Sequence, residues 1–324
     1  MLGLALASCD KYVYDGPGNC DVTVRFKYEF NMKYVDAFAA EVHSVAVYVF
    51  DPATGAFITK ATDAGQHLDE NYYMTIPELT VGTYDLVAWC GLEDSEFTVS
   101  DPKNISELLC RMNTRTKAEE MVDFDLGTVY HGILKGVELV PLPPGGVQTV
   151  KIPLRRNTNS INVVLQTLQR SWEIEPADYE ITIEDNVVEL DHANEPTREE
   201  PVTYYPWDYR QVSVEYEEGT SALTAVLAEF TTNRLIKRSG YKPRLRIKDK
   251  GTGATVIDIP LIDCLLMVKG NYNRSMDDQE YLDRQHDYNL IFFLDNSQGP
   301  SGYWNTSVGI YINGWHVVWF SSEL

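Results

Sequence analysis

Apolar and polar residues alternate strictly in the stretch "DVTVRFKYEF", which begins at residue 21. Val22, Val24 and Phe26 fall on one face of an extended chain, whereas Thr23 and Arg25 fall on the other. This period of two is typical of a β-strand with one face in a core and one in solvent. The pattern therefore predicts that the folded part of the chain opens with a half-buried strand.

Similar short runs follow along the whole chain, separated by turn residues. Pro52 to Gly55 separates two of them, and Asn313-Gly314 is the strongest short-range hairpin signal in the sequence. Helix-like spacing occurs only in "ISELLCRMN" and "LIDCLLMVK". There is no alternation of strands with helices, so a doubly wound parallel sheet is excluded. The sequence predicts an all-β fold of β-sandwiches with a few short helices.

A change of composition near the middle of the chain indicates a domain boundary. Prolines and glycines at 141–146 precede the run "VQTVKIPLRRNTNSINVVLQT", which reads as strand, basic turn and strand. We place the boundary at Arg156-Asn157, which gives an N-terminal sandwich over residues 20–156 and a C-terminal sandwich over residues 157–324. Residues 20–155 are predicted to fold alone.

The last stretch, "TSVGIYINGWHVVWF", predicts a hairpin whose second strand is apolar on both faces. Trp315, Val317 and Trp319 lie on one side, and His316 and Val318 on the other. A strand with one solvated face should alternate, so both faces need a cover. Two interpretations stay open: a central strand covered within the fold, or a surface that meets a partner subunit.

The first nine residues predict processing rather than structure. The stretch is too short to span a bilayer, which takes about 20 apolar residues. Leu6-Ala7-Ser8-Cys9 matches the lipobox of bacterial lipoproteins, in which the cysteine thiol takes the diacylglycerol. Residues 1–9 are therefore expected to be a signal remnant, with Cys9 as the lipidation site and residues 10–19 as a tether. Because no lysine or arginine precedes the apolar run, we expect the true start upstream of Met1.

Charge and cysteine content narrow the possible functions. The formal net charge is −21, which argues against nucleic-acid binding and against docking on anionic lipid through a basic patch. Five cysteines leave one without an intramolecular partner in a fully oxidised chain. Disulfides and buried free thiols both stay open for the remaining four, which are Cys20, Cys90, Cys110 and Cys264.

No constellation of residues predicts catalysis, a cofactor or a metal. Nucleotide-binding, metalloprotease and serine-hydrolase motifs are absent, and the six histidines are scattered. The acidic stretch "DDQEYLDRQHDYN" contains Asp283, Arg284 and His286, and we interpret it as a solvated loop with one internal salt bridge. It lacks the residue order of a calcium loop. Catalytic, cofactor and metal sites are each predicted as none.

Several stretches together resemble one family. They are the lipobox with Cys9, "FKYEFNMKYVDAFAAEVHSVAVYVFD", "YDLVAWCGLED", "LRRNTNSINVVL", "YLDRQHDYNLIFFL" and "INGWHVVWF". They are similar to the FimB-like fimbrial anchor proteins of Gram-negative anaerobes, over nearly the whole chain from Cys9 onward. Cysteines at the "AWCGL" and "LLCRMN" positions are not expected of the family.

The resemblance implies two transthyretin-like β-sandwich domains in a surface-exposed lipoprotein of the outer membrane. Its role would be to tether a type V fimbrium at its base, to bind fimbrial shaft subunits, and to influence fimbrial length and accessory subunits. Cys9 is the only functional residue that carries over by motif. The alternative is a surface glycan-binding lipoprotein, with Trp172, Trp207 and Trp304 as candidate stacking residues. Any small-molecule ligand stays unknown, and an enzyme is not expected.

Overall fold

β-Strands are the main secondary structure of the fold, as the alternation predicts. The structure is a computed structural model that describes residues 22–77, 79–116, 120–142, 146–167, 173–214, 223–270, 273–294 and 307–321. Its strands are β1 (Val22–Lys27), β2 (Ser44–Phe50), β3 (Phe57–Ala64), β4 (Met74–Ile76), β5 (Gly82–Cys90), β6 (Phe97–Val99), β7 (Leu109–Met112), β8 (Arg115–Thr116), β9 (Glu120–Val122), β10 (Tyr130–Leu139), β11 (Gln148–Pro153), β12 (Arg155–Arg156), β13 (Thr158–Thr167), β14 (Tyr179–Asp191), β15 (Pro196–Tyr204), β16 (Asp208–Val214), β17 (Leu223–Asn233), β18 (Arg244–Asp249), β19 (Thr255–Pro260), β20 (Asp287–Leu294), β21 (Ser307–Ile312) and β22 (Trp315–Ser321).

The helices of the described residues are short. They are α1 (Phe38–Glu41), α2 (Leu261–Leu266) and α3 (Asp278–Arg284), together with single 3-10 turns at Leu92–Asp94, Ile105–Glu107 and Met267–Lys269. The helix predicted in "LIDCLLMVK" is confirmed. The helix predicted in "ISELLCRMN" is wrong, because the stretch forms one 3-10 turn followed by β7. Hydrogen bonding of β7 to β6 and β14 outweighs its helix-like spacing.

Two sheets enclose the first core. One has the strand order β11-β1-β4 and the other β12-β10-β5-β2-β3. β1 runs parallel to β11 and antiparallel to β4, so it is the central strand of its sheet. Val22, Val24 and Phe26 of β1 are buried against the facing sheet, as the alternation predicts.

The second core lies between two larger sheets. One has the order β16-β17-β13-β20-β21-β22. The other has eight strands, in the order β19-β18-β14-β15-β9-β8, with β7 also paired to β14 and β6 paired to β7. Ile161, Phe292 and Ile310 of the six-stranded sheet and Ile183 and Leu245 of the eight-stranded sheet belong to one buried cluster. Asn313 and Gly314 both have positive φ, at 48° and 82°, and form the predicted turn between β21 and β22.

A segment of the first half joins the sheet of the second half. β7 pairs with β14, and β9 pairs in parallel with β15. The expected boundary at Arg156-Asn157 therefore does not separate the strand pairing of the two halves. The division into two domains at that point stays a prediction.

The same segment covers the outer face of the five-stranded sheet. All seven residues of β2 are buried. Val45, Val47 and Val49 face the first core, whereas Tyr48 and Phe50 belong to the cluster that continues into the second half. Phe97, Leu108, Cys110, Met112 and Val122 of the crossing segment complete that cover. The buried apolar interior is thus continuous from one half to the other.

The described cysteines are buried free thiols. Cys90, Cys110 and Cys264 are unpaired, and burial raises the pKa of each thiol above its ordinary value. Of the two alternatives, disulfides and buried free thiols, the buried free thiols therefore apply to these three residues. Cys9 and Cys20 lie outside the described residues.

Candidate functional site

The first described strand begins at one end of the first sandwich. β1 begins at Val22, whose neighbours across the sheet are Gln148 of β11 and Ile76 of β4. β5 begins and β10 ends at the same end of the sandwich, where Gly82 pairs with Leu139. The predicted lipidation site, Cys9, lies outside the described residues.

The second half of the chain meets the first sandwich at its opposite end. The residue after β1, Tyr28, packs its ring against Tyr130 at 5.0 Å between centroids and against His286 at 6.5 Å. The backbone N–H of Ser160, near the start of β13, donates to the carbonyl of His286 at 2.8 Å. The start of β1 and the contact with the second half therefore lie at opposite ends of the first sandwich.

A buried ion cluster closes this junction. Arg234 is 6% exposed and binds both carboxylate oxygens of Asp283, which is 3% exposed, at 2.8 and 2.9 Å. Arg155, from the first half, donates to the same carboxylate at 2.7 Å. Gln279 adds a fourth hydrogen bond at 3.0 Å. Because every oxygen of this carboxylate is engaged, the cluster holds the two halves together and presents no free acid.

The interpretation of "DDQEYLDRQHDYN" as a solvated loop is wrong. Residues Asp278–Arg284 form α3, which begins where the Asp277 side chain accepts the backbone N–H of Glu280. The predicted internal salt bridge is present between Arg284 and Glu280 at 2.8 Å. The period of the charges in this stretch is helical, and Tyr281 and Leu282 supply its buried face. Burial of Asp283 needed two arginines that are distant in sequence, so no local pattern indicated it.

Two histidines at the junction are held neutral. Burial lowers the pKa of His131 to about 3, although its Nε2–H donates to the carbonyl of His192 at 2.9 Å, which acts in the opposite direction. Burial, reinforced by the charges of Arg156 and Arg155, lowers the pKa of His286 to about 3. A neutral, enclosed imidazole of this kind is a packing group rather than a general base at neutral pH. No cluster of metal-ligating residues occurs in the described ranges.

A loop of the first half packs against α3. The guanidinium of Arg284 lies over the Phe30 ring at 3.8 Å and over the Tyr34 ring at 4.9 Å. Arg155 lies over Phe30 at 4.6 Å, so this ring is a shared platform for two cations. Tyr34 has a φ of 54°, an unusual conformation for a tyrosine, and remains 60% exposed. The "NMKYVDAF" stretch thus contributes Tyr34 to the junction.

A small cleft lies on the second half, at the loop between β17 and β18. It has a volume of about 220 Å³ and is lined in part by Lys237, Arg238 and Lys242. These cations pair with Asp278, Glu199 and Asp263, respectively. Since each of these three cations is paired with a carboxylate, none of them offers an unbalanced positive charge to an anion in the cleft.

The terminal hairpin forms one side of the six-stranded sheet. Ile310 and Ile312 of β21 are buried, and Trp315 at the start of β22 is 69% exposed. The side chains of residues 316–321 lie outside what the structure describes, so the prediction about the two faces of this arm stays open. β22 pairs with β21 and forms the edge of its sheet within the described residues.

Of the three tryptophans predicted for glycan stacking, the structure describes Trp207 alone. Trp207 is 41% exposed, and its backbone N–H donates to the carbonyl of Glu229 at 2.9 Å. Trp172 and Trp304 lie outside the described residues. Helices long and apolar enough to cross a bilayer are absent from the described part of the chain.

These features define an all-β protein without an evident catalytic centre in its described residues, and comparison with known proteins places it in a family. Residues 15–319 match the family model of the fimbrillin-A associated anchor proteins Mfa1 and Mfa2. The chain belongs to this family. The predicted resemblance is thereby confirmed, and so is the prediction that the chain is not an enzyme, because the family consists of fimbrial anchor proteins.

Individual relatives cover almost the whole chain. The minor fimbrium anchoring subunit Mfa2 of Porphyromonas gingivalis is 24% identical over 98% of this chain and 92% of its own length. A provisionally assigned adhesin from Bacteroides thetaiotaomicron is 30% identical, with a TM-score of 0.80 over 94% of this chain and 99% of its own. The solved structure of P. gingivalis Mfa2 has a TM-score of 0.69 at 20% identity, over 94% and 100% of the two chains. The fold and a fimbrium-associated role at the cell surface follow.

Proposed function

We propose that this chain is a lipoprotein that anchors a fimbrium to the outer membrane through Cys9. The observation that carries the proposal is the placement of two attachments at opposite ends of the first sandwich. The tether enters at Val22, and the second half joins beyond Lys27. A lipid on Cys9 would hold the first end near the membrane and leave the second half pointing outward.

The proposed lipid is sufficient for a stable attachment. A mature bacterial lipoprotein carries three acyl chains on its N-terminal cysteine, whereas one chain gives only marginal binding and two give stable anchoring. The net charge of −21 supplies no alternative electrostatic attachment to anionic lipid. The anchor function therefore depends on Cys9 in this proposal.

The outward half would bind fimbrial shaft subunits. The edge strand β22 has one paired neighbour among the described strands, so its other side offers backbone groups to an added strand. Through this contact at the base of the polymer, the anchor would also influence fimbrial length and the incorporation of accessory subunits.

Replacement of the lipidated cysteine tests the proposal. In cells that produce the full chain, Cys9→Ser should abolish incorporation of labelled palmitate and release both the protein and its fimbriae into the medium. Cys20→Ser is the matched control, because it removes a nearby thiol outside the lipobox. Equal palmitate incorporation in the Cys9→Ser variant and the wild type would refute the proposal.

Glycan binding is the second candidate function. A protein from B. thetaiotaomicron with 30% identity and a TM-score of 0.71 over 92% of this chain and 97% of its own is described as a provisional polysaccharide-binding protein. Trp207 offers one partly exposed ring here. Affinity electrophoresis of the Cys9→Ser chain in polysaccharide gels separates the candidates. Retardation that is lost on Trp207→Ala would favour the glycan function.

A further inference from the structure

A buried carboxyl lies on the core face of the eight-stranded sheet. Ile181 and Ile183 of β14 belong to the second core, and Asp185 follows on the same face, because alternate residues of a strand share a face. Asp185 is 2% exposed. Its Oδ1 accepts the backbone N–H of Asn186 at 2.7 Å, whereas its Oδ2 is buried and has no hydrogen-bond partner among the described residues. A buried polar atom without a partner is costly, so this oxygen needs an explanation.

A second unpartnered atom, a donor, belongs to a side chain beside this carboxyl. Arg238, from the loop between β17 and β18, donates through Nη1 to the Glu199 carboxylate and through Nη2 to the side-chain oxygen of Asn186. Its Nε–H is buried and has no partner within the described ranges. The guanidinium is close enough to Asp185 to favour the ionised carboxylate. One donor and one acceptor are therefore both left over in the same region.

The charge of Asp185 changes near neutral pH. Burial raises the pKa of this carboxyl to about 7. The backbone N–H of Asn186 and the charge of Arg238 lower the pKa without cancelling the effect of burial, and the charge of Glu199 raises it. The carboxyl is therefore mostly neutral below pH 7 and mostly ionised above it.

Two tyrosines also face Asp185. Burial raises the pKa of Tyr204, on β15, and of Tyr241, in the loop, and the charge of Asp185 acts in the same direction. Both hydroxyls therefore stay protonated near pH 7. Glu184 precedes Asp185 on β14, but it lies on the outward face, where it pairs with Arg246. Neither the tyrosines nor Glu184 change their charge in this pH range.

The loop that carries Arg238 also contacts the junction between the two halves. Arg234, at the start of the loop, binds Asp283 in the buried ion cluster. The backbone N–H of Lys237 donates to the side chain of Gln279 at 2.8 Å, in the first turn of α3. A movement of Arg238 would therefore act directly beside the contact between the loop and α3.

We propose that Asp185 and Arg238 form a pH-sensitive latch on the loop between β17 and β18. Below neutral pH the guanidinium binds Glu199 and Asn186, as it does in the structure. Above neutral pH the carboxyl of Asp185 releases one proton to water, and the Nε–H of Arg238 donates to its Oδ2. No covalent bond other than this O–H bond changes. Neither fimbriae nor a membrane takes part, so the latch is independent of the proposed anchor function.

A balance between two carboxylates decides which partner the guanidinium binds. Glu199 is 54% exposed, so water and salt screen its attraction for Arg238. An ionised Asp185 lies in a region of low polarity, where the same charge attracts the guanidinium more strongly. The hydrogen bond from Nε to Oδ2 gives both leftover atoms a partner and is charge-assisted. While Asp185 is protonated, this attraction is absent and Glu199 holds the guanidinium.

Nitrogen NMR of the arginine side chains tests the latch. The full chain with Cys9→Ser is labelled with ¹⁵N-arginine and titrated from about pH 5.5 to about pH 8.5, a range that brackets the transition. Arg238→Lys assigns the Nε signal of Arg238 by its disappearance. We expect this signal to shift along one titration curve with a midpoint of about pH 7. Asp185→Asn should abolish the shift, because the amide does not ionise.

Two further variants test the exchange of partners. Glu199→Gln removes a charge that raises the pKa of Asp185 and that competes for Arg238, so the midpoint should fall by about half a pH unit or more. Glu184→Gln is the matched control, because it removes a carboxylate next to Asp185 on the outward face of β14. Its midpoint should stay close to that of the parent chain.

Other outcomes would overturn the latch. A flat Arg238 signal over the whole range in the parent chain would show that the guanidinium does not respond to Asp185. A shift that persists in Asp185→Asn would assign the titration to another group. If Asp185→Asn has no cooperative thermal transition and is therefore unfolded, Glu199→Gln decides the question. An unchanged midpoint in that variant would exclude the exchange of partners.

Discussion

Strand β2 of the five-stranded sheet and strand β13 of the six-stranded sheet both carry apolar residues on two faces, but those on the outward face are buried in β2 and partly exposed in β13. In β2, Val47 packs into the first core, and Tyr48 packs under the segment that crosses to the second half. In β13, Val163 packs into the second core, and Val164 on the other face stays partly exposed. An apolar pattern on both sides of a strand thus indicates that a cover is needed, and the cover can come from a distant part of the chain.

The difference also separates stability from recognition. Apolar side chains that are already buried contribute to the free energy of unfolding of the chain itself. Partly exposed apolar side chains contribute less to this free energy. They would contribute to the free energy of binding if a partner excluded water from them. Substitutions on the two sheets should therefore change different measurements.

Cutting the chain at the predicted domain boundary should have the largest effect. Residues 20–155 contain β7 and β9 without their partners β14 and β15. Phe97, Met112 and Val122 would lose the second half of their buried cluster. Although the alternation pattern predicts that this fragment folds alone, we now expect it to aggregate or to unfold without cooperativity, as measured by circular dichroism during heating. The full chain with Cys9→Ser is the control, and a sharp cooperative transition in the fragment would show that the shared cover is dispensable.

Truncation of a covered ring should have the next largest effect. Trp89 is fully buried on the covered face of the five-stranded sheet. Trp89→Ala should lower the free energy of unfolding by about 3–5 kcal/mol, because it leaves a cavity in a continuous core. Urea denaturation measures this value. Ile58→Ala, on the edge strand β3, is the control and should cost less than about 1 kcal/mol. Equal losses at the two sites would contradict the assignment of a cover.

Acid should weaken the same covered face. The His131 ring packs against the Trp89 ring in a tilted arrangement, at 4.7 Å between centroids, and has a pKa of about 3 in the folded chain. An unfolded histidine titrates near 6.5, so the unfolded state takes up the proton first, and stability present above pH 6.5 is lost as the pH falls. Between pH 6.5 and 5, the wild type should lose about 2 kcal/mol more than His131→Gln, which cannot take up this proton. Denaturation curves with parallel pH dependence would exclude the effect.

Substitution of the partly exposed Val164, on the outer face of the six-stranded sheet, should change stability least. Val164→Thr replaces a partly exposed valine by a residue of similar shape and β-propensity. The free energy of unfolding should change by less than about 1 kcal/mol. The matched substitution Val163→Thr, on the core face of the same strand, should cost more, since it buries a hydroxyl. Urea denaturation of both variants gives the comparison, and a larger loss at Val164 would mean that this face is already covered.

Local patterns predicted most of the strands, because alternation and turn chemistry are properties of neighbouring residues. β1, the β2–β3 hairpin around Pro52 to Gly55 and the Asn313-Gly314 turn lie where these patterns place them. The family resemblance rested on the same stretches. The pattern of β15 is interrupted by charges and prolines, so this strand was not predicted.

Long-range partners account for the errors. β7 has helix-like spacing, but it forms hydrogen bonds with a strand that lies far along the chain. Asp283 is buried only because Arg234 and Arg155 reach it from distant segments. Burial of this kind depends on which elements meet, and a single sequence does not contain that information locally.

The position of β1 also determines how the fold would respond to mechanical force. A force applied to the chain before Val22 would act on the start of β1, a strand with hydrogen-bonded neighbours on both sides. The force then acts along the strand, so its ladders of hydrogen bonds to β11 and β4 are sheared together rather than opened one at a time from an end. An element loaded in this way resists extension, and a fimbrium under fluid drag would pull on its anchor in that direction.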